Sequence, residues 1–230
     1  VVWEFENRDL LSAPVVDDDN RLVGRITIDD VVDEIRDEAE HALMGAAGLD
    51  EEDDMFAPVV KSARRRSLWL GVNLITAFLA ASVVDLFQTT LDKIVLLAVL
   101  MPVVPSMGGV AGSQSLVVIA RAMALGQIDH TNAPGILRKE LLVGLLNGLA
   151  WSIVVAAATY LWFGDWRIGT VIAGAMIINL VVAALAGFSV PLTLKKMNID
   201  PALAGGVVLT TITDVIGYMS FLGLGALYLL

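Results

Sequence analysis

One acid lies in a stretch that otherwise reads as membrane. Residues 201–230, PALAGGVVLTTITDVIGYMSFLGLGALYLL, are long enough to cross a bilayer with some tilt, and Asp214 near their middle is their one charged side chain. Holding a carboxylate at that depth costs about 2.5–3.5 kcal/mol on insertion scales. A cation or a water-filled path is the expected offset. Thr210 and Asp214 are four residues apart and share a helix face, with Gly206 and Gly217 near the same stripe. Thr211 and Thr213 add hydroxyls around the acid. Mg²⁺ takes hard oxygen ligands and sheds water reluctantly, so carboxylate, hydroxyl and carbonyl oxygens at water-mediated distance suit it. One Asp supplies a single negative charge, and two copies facing each other would match a divalent ion. These residues do not by themselves fix which cation it is. The plainer alternative is an Asp bonded to a hydroxyl or protonated in place.

A second apolar stretch is equally irregular. From 100 to 127 it carries Pro102, Pro105, Gly108, Gly109 and Gly112, with Ser106, Ser113, Gln114 and Ser115 at the same depth. Proline removes a backbone donor and glycine lets helices approach closely. Interrupted backbone inside a membrane is tolerated where it is buried in protein or lines water. Pro105, Gly108, Gly109, Gly112, Gln114 and Gly217 are therefore candidates to line a path. Tight packing alone is the alternative, and Gly109-x-x-Gly112 would serve it. A phosphate-binding glycine loop is excluded by the lack of a following Lys-Ser/Thr pair and of a preceding soluble strand.

The elements that must position these residues follow from composition. The chain has 230 residues, 57% of them hydrophobic, and a mean hydropathy of +0.75, which points to a membrane protein. The net charge of −10 is unevenly spread: residues 1–60 hold 18 acidic and 4 basic side chains, residues 61–230 hold 7 and 11. An acidic block of this size suits neither nucleic acid nor an anionic surface, and could attract divalent cations. There is no cysteine, hence no disulfide or thiolate metal site. The first ten residues show neither the basic nor the apolar region of a signal peptide.

Taken in order, residues 13–16 and 21–27 read as strands around the turn Asp17-Asp18-Asp19-Asn20, and Thr27 caps a helix over 28–40 with Val31, Val32 and Ile35 on one face. This segment is too short for its own core and is expected to complete a larger domain outside the chain. Residues 41–66 connect, through the acidic run 48–54, a short helix beginning near Ala57 and the basic cluster 61–66. Five apolar stretches follow, 67–89, 94–120, 141–163, 168–194 and 201–230, each long enough to span. Lys61, Arg64, Arg65, Arg66, Arg121, Arg138, Lys139, Lys195 and Lys196 flank one side, Lys93 and Arg167 the other. The positive-inside rule then predicts a cytoplasmic N-terminus and an outer C-terminus. Tyr160, Trp162 and Trp166 form an aromatic belt at the outer end of the third span. Asn179 is read as an interhelical hydrogen bond, and Gly187 and Pro191 as a close contact and a bend. The fold class is mainly α: a partial α/β segment (1–40), a connecting region (41–66) and a five-helix transmembrane domain (67–230).

These features together resemble the MgtE family of magnesium channels, over nearly the whole length. Residues 11–40 are similar to the second half of a CBS domain. Pro105-Ser-Met-Gly-Gly-Val-Ala-Gly-Ser-Gln-Ser115 is similar to the family's Gly-Gly-Asn-x-Gly-x-Gln pattern, with Val110 in the Asn position. Arg138-Lys139-Glu140 resembles its lead-in to the third span. Asp200-Pro201-Ala202-Leu203 and Thr213-Asp214-Val215-x-Gly217 match its fifth helix. The resemblance implies a homodimer in the plasma membrane with a pore between the second and fifth helices and Asp214 as the pore aspartate. Thr210, Thr211 and Gly206 join Asp214 as candidate contacts of the Mg²⁺ that passes. Mg²⁺ would enter down its electrochemical gradient. Cytosolic Mg²⁺ would close the pore by binding acidic faces, locally Asp30, Asp33, Glu34, Asp37, Glu38 and Glu40. A weaker implication is adenine nucleotide at Thr27 and Asp30; nucleic acid is not expected as a partner. Two other readings compete: a path for another cation such as Co²⁺ or Mn²⁺, and a CBS-type membrane sensor that conducts nothing. An enzyme is not expected. There is no paired acid and base, no nucleophile with a base partner, and the only histidines, His41 and His130, fall in loops.

Overall fold

The computed structural model describes residues 1–46, 49, 56, 58–129 and 131–230; for residues 6, 38, 41–43 and 46 it describes the backbone alone. The acidic run 48–54, apart from Leu49, the helix start expected at Ala57, His130 and the side chains of Glu38 and His41 thus lie outside the described residues.

The amino-terminal segment is α1 (Val2–Arg8), β1 (Ser12–Val16), β2 (Leu22–Thr27) and α2 (Ile28–Ala46). The strands pair antiparallel, Ser12 opposite Thr27 and Val15 opposite Gly24, with an irregularity between Val15 and Val16. The turn is built as its Asx residues dictate: the Asp17 carboxylate accepts from the Arg21 N–H at 2.8 Å, and Asn20 takes a left-handed φ of 60°. The sequence reading missed α1. It also ended α2 too early and gave it too wide an apolar face: Phe5 and Val31 are buried, but Val32 and Ile35 are largely exposed.

Among the described residues five membrane-length spans follow: α3 (Val59–Asp85), a second span made of α5 (Val95–Leu100) and α6 (Val103–Ala124), α7 (Ala133–Phe163), α8 (Trp166–Lys196) and α9 (Pro201–Leu229). The short α4 (Gln88–Lys93) joins α3 to α5. Local chemistry sets their ends. Gly164 closes α7 at φ 72°, where a side chain would be strained, and Asp165 opens α8 by accepting from the Arg167 N–H at 2.8 Å. Asp200 opens α9 in the same way through the Ala202 N–H at 2.9 Å, with Pro201 in the first turn. The basic cluster 61–66 belongs to the first turns of α3.

The two prolines of the second span act differently. Pro102 stands at the break between α5 and α6. Pro105 lies in the first turn of α6, where its missing N–H would have had no partner within the helix. The glycines that follow are helical.

α8 is the central helix, mostly buried and packed on α6, α7 and α9. One apolar cluster joins Leu97, Leu100 and Val104 to Ile168, Val171, Ile172, Phe221 and Leu222; a second joins Leu116 to Val190, Leu194 and Leu209. α3 is peripheral: only Ala80 and Val83 are buried, and its helix contacts run to α9. Tyr160, Trp162 and Trp166 are exposed together at one end, as a belt requires.

Candidate functional site

The acid on α9 is half-buried and its carboxylate accepts none of the hydrogen bonds its neighbours donate. Thr210 Oγ1 donates to the carbonyls of Gly206 (3.0 Å) and Val207 (3.1 Å), and Thr211 Oγ1 to Val207 (2.7 Å). Thr213 Oγ1 donates to the Thr210 carbonyl at 3.0 Å. On α6, Ser113 does likewise to Gly109 at 2.8 Å. A hydroxyl whose proton is committed to a helix carbonyl keeps its lone pairs for a donor outside. Coordinated water is such a donor. A stripe of one carboxylate and oxygen acceptors therefore suits a hydrated cation better than a bare one. Among the described residues no three His, Asp or Glu side chains converge as a dry cage.

Thr213 is fully buried, facing α6 beside Gly109, whereas Thr210, Thr211 and Asp214 keep part of their surface. Gly206 is open: a Cβ there would meet nothing within 4 Å. Of the residues expected to line a path, Gly109 and Gln114 keep accessible surface. Pro105, Gly108, Gly112 and Gly217 are instead buried in contacts within the chain, where they set how closely helices approach. A Cβ on Gly112 would lie 2.8 Å from the Leu209 side chain of α9, and one on Gly217 would lie 2.8 Å from the Pro105 ring of α6.

Asn179 of α8 sits where these helices meet. It is fully buried, and its Nδ2 donates to the Val104 carbonyl of α6 at 2.8 Å, the interhelical bond expected of it. Two glycines make room for the amide: a Cβ on Gly108 would come within 2.9 Å of Asn179 Cγ, and one on Gly217 within 3.1 Å of Nδ2. Its Oδ1 has no hydrogen-bond partner among the described residues.

A further carboxylate, named in the sequence only as part of the Arg138-Lys139-Glu140 lead-in, is buried. Glu140 of α7, 9% exposed, accepts from Ser115 Oγ of α6 at 2.6 Å. Ser115, a hydroxyl at membrane depth needing a partner, was the hint to the pairing. Gly187 of α8 packs beside this pair, its position for a Cβ lying 2.6 Å from Ser115 Cβ and 2.8 Å from the Gly112 carbonyl.

Asp30, Asp33, Glu34, Asp37 and Glu40 lie exposed along α2. The Thr27–Asp30 pair bonds to itself: the Asp30 carboxylate accepts from both the N–H and the hydroxyl of Thr27, each at 2.8 Å. Those bonds, the backbone one foremost, hold the Asp30 carboxyl below the usual aspartate range. The pair is the first-turn cap of α2.

Gly206 and Thr210 also line a cavity of about 1380 Å³ bounded by α2, α3, α6 and α9. At its far end Gly45 of α2 rests on Ala202 and Leu203 of α9.

Comparison with known proteins agrees with this architecture. A family model described as a divalent cation transporter, MgtE, matches residues 101–224, and a CBS domain model matches residues 1–37. The chain is similar to the magnesium transporter MgtE of Bacillus subtilis (30% identity over 227 residues, 98% of this chain and 50% of the relative). It is similar to those of Enterococcus faecalis (31%, 100% and 50%) and Thermus thermophilus (31%, 96% and 49%). It spans about half the length of the curated relatives it matches. No catalytic family is indicated.

Proposed function

The chain belongs to the family of MgtE divalent cation transporters, a multi-pass membrane family, and on that footing we propose that it conducts hydrated Mg²⁺ past Asp214. The observation that carries this reading is the half-buried Asp214 carboxylate, without a hydrogen-bond partner among the described residues on a stripe of oxygen acceptors. Thr210 and Thr211 receive hydration water, and Gly206 leaves room for it. Magnesium transport is what the relatives' names state.

The path runs between two copies of the chain. On α6, Val110 and Gln114 are exposed on one face, four residues apart. A carboxamide and a carboxylate facing lipid are costly, and a second copy laid against α6 and α9 covers both while supplying the second charge. With α2 and the basic helix ends on the cytoplasmic side of the plasma membrane, a potential negative inside drives entry by about 2.3 kcal/mol per charge per 100 mV, doubled for a divalent ion. The acidic face of α2 (Asp30, Asp33, Glu34, Asp37 and Glu38) is where cytosolic Mg²⁺ would screen repulsion and close the path.

The test is Mg²⁺ uptake into liposomes under an inside-negative potential. Asp214→Asn keeps the volume and removes the charge, and uptake is expected to fall at least tenfold with the protein still folded. Undiminished uptake refutes the assignment.

A further inference from the structure

The cavity that Gly206 and Thr210 line carries, at its other end, a set of charges that the α9 stripe does not account for. Its rim carries Arg66, Arg121 and Lys195, from α3, α6 and α8. The N-terminal end of α3 and the C-terminal ends of α6 and α8 bring the three cations to the same side of the membrane domain. None of them has an ion-pair or side-chain hydrogen-bond partner among the described residues. Asp200, the acid among the lining residues, is engaged as the cap of α9. The rest of the wall is largely apolar, with Leu70, Val117, Leu203 and Val207 facing the space. An apolar chamber with a basic rim, at the predicted cytoplasmic boundary of the bilayer, asks for an amphiphile with a negative head.

We propose that this cavity binds an anionic phospholipid, its acyl chains against Leu70, Val117 and Leu203 and its phosphate among Arg66, Arg121 and Lys195. Charge complementarity selects that occupant. A free phosphate would leave the apolar wall wet, and a zwitterionic lipid would leave the three positive charges unmatched. The bound head also changes what a cation meets on leaving the Thr210 stripe, by neutralising a rim that otherwise repels it. The proposal goes beyond magnesium transport, and its test reads no ion flux, so either can fail without the other.

Native mass spectrometry of the full chain, with phosphatidylglycerol or phosphatidylcholine added, reads bound lipid and subunit number together. The wild-type protein is expected to retain phosphatidylglycerol preferentially. The triple variant R66Q/R121Q/K195Q is expected to lose that preference by about 100-fold. The control K61Q/R64Q, which removes basic side chains of α3 outside the cavity, is expected to keep it. In the wild-type protein the preference should also weaken as salt rises, a measurement that needs no variant to fold. Equal retention of the two lipids, a salt-independent preference, or a triple variant that keeps it overturns the proposal. So does displacement of the lipid by inorganic phosphate, which would mark a free-anion site, or a changed subunit number, which would mark a contact between copies.

Discussion

Two glycines on α9 look alike in the sequence and should behave oppositely. Gly206 lies two turns before Asp214 and Gly217 just under one turn after it. Alanine in place of glycine inside a helix gains roughly 0.5–1 kcal/mol, a gain common to both sites. At Gly206 the new methyl meets nothing within 4 Å. At Gly217 it meets the Pro105 ring at 2.8 Å, and Pro105 Cα and Asn179 Nδ2 at 3.1 Å. These distances fall well inside the ~3.5–4.0 Å separation of unbonded carbons. A proline ring cannot swing aside, and Asn179 is held by its bond to Val104, so the helices must part. Overpacking of this kind costs about 1–3 kcal/mol. The shared gain cancels in the comparison, so Gly217→Ala should be less stable than Gly206→Ala by about 1–3 kcal/mol. Denaturant unfolding of both variants in the same detergent measures that difference. Moving α9 off α6 also moves Asp214, so Mg²⁺ uptake should drop in Gly217→Ala. Equal unfolding midpoints for the two variants would refute the reasoning, because they would mean that α6 and α9 do not touch at this level.

Three further expectations concern groups inside or beside the bundle. Asn179→Asp removes the donor to the Val104 carbonyl and sets a carboxylate in its place, so it should destabilise more than Asn179→Ala, whose lost bond and void cost about 1–3 kcal/mol; unfolding midpoints rank the two. Glu140→Gln keeps an acceptor for Ser115 and should stay within about 1 kcal/mol of the parent, whereas Glu140→Ala strands the hydroxyl and should lose about 1–3 kcal/mol on the same scale. Asp30 has a carboxyl pKa lowered by the Thr27 bonds, so its contribution is present above the unfolded aspartate value and disappears as pH falls through the lower folded one. Hydrogen exchange in the first turn of α2 should therefore quicken in that acid window, and Asp30→Asn should flatten the response.

How far the sequence announced this molecule depends on the range of the interaction. The five spans were legible because apolar length alone demands them; the caps at Gly164 and Asp165 were not singled out in the sequence, although capping is local. The MgtE resemblance, rested on short motifs in the second and fifth helices, agrees with the family match over 101–224. What stayed hidden is tertiary. Ser115 and Glu140 are 25 positions apart on different helices, and no periodicity pairs them. Pro102 and Pro105 differ only in where the helix begins. Gly206 and Gly217 differ only in what the neighbouring helix places opposite them. α1 was missed because VWEFENR mixes charge and aromatics without a period, though it buries Phe5.

The threonine hydroxyls of α9 have a consequence for the sign of the permeant charge. Each already donates its O–H to a carbonyl of its own helix, so beside these hydroxyls chloride or phosphate would find electron pairs and no hydrogen to accept. Along the proposed path, rejection of anions would thus rest on which way the O–H bonds point, and because a threonine does not titrate, it should persist even at a pH where Asp214 is neutral.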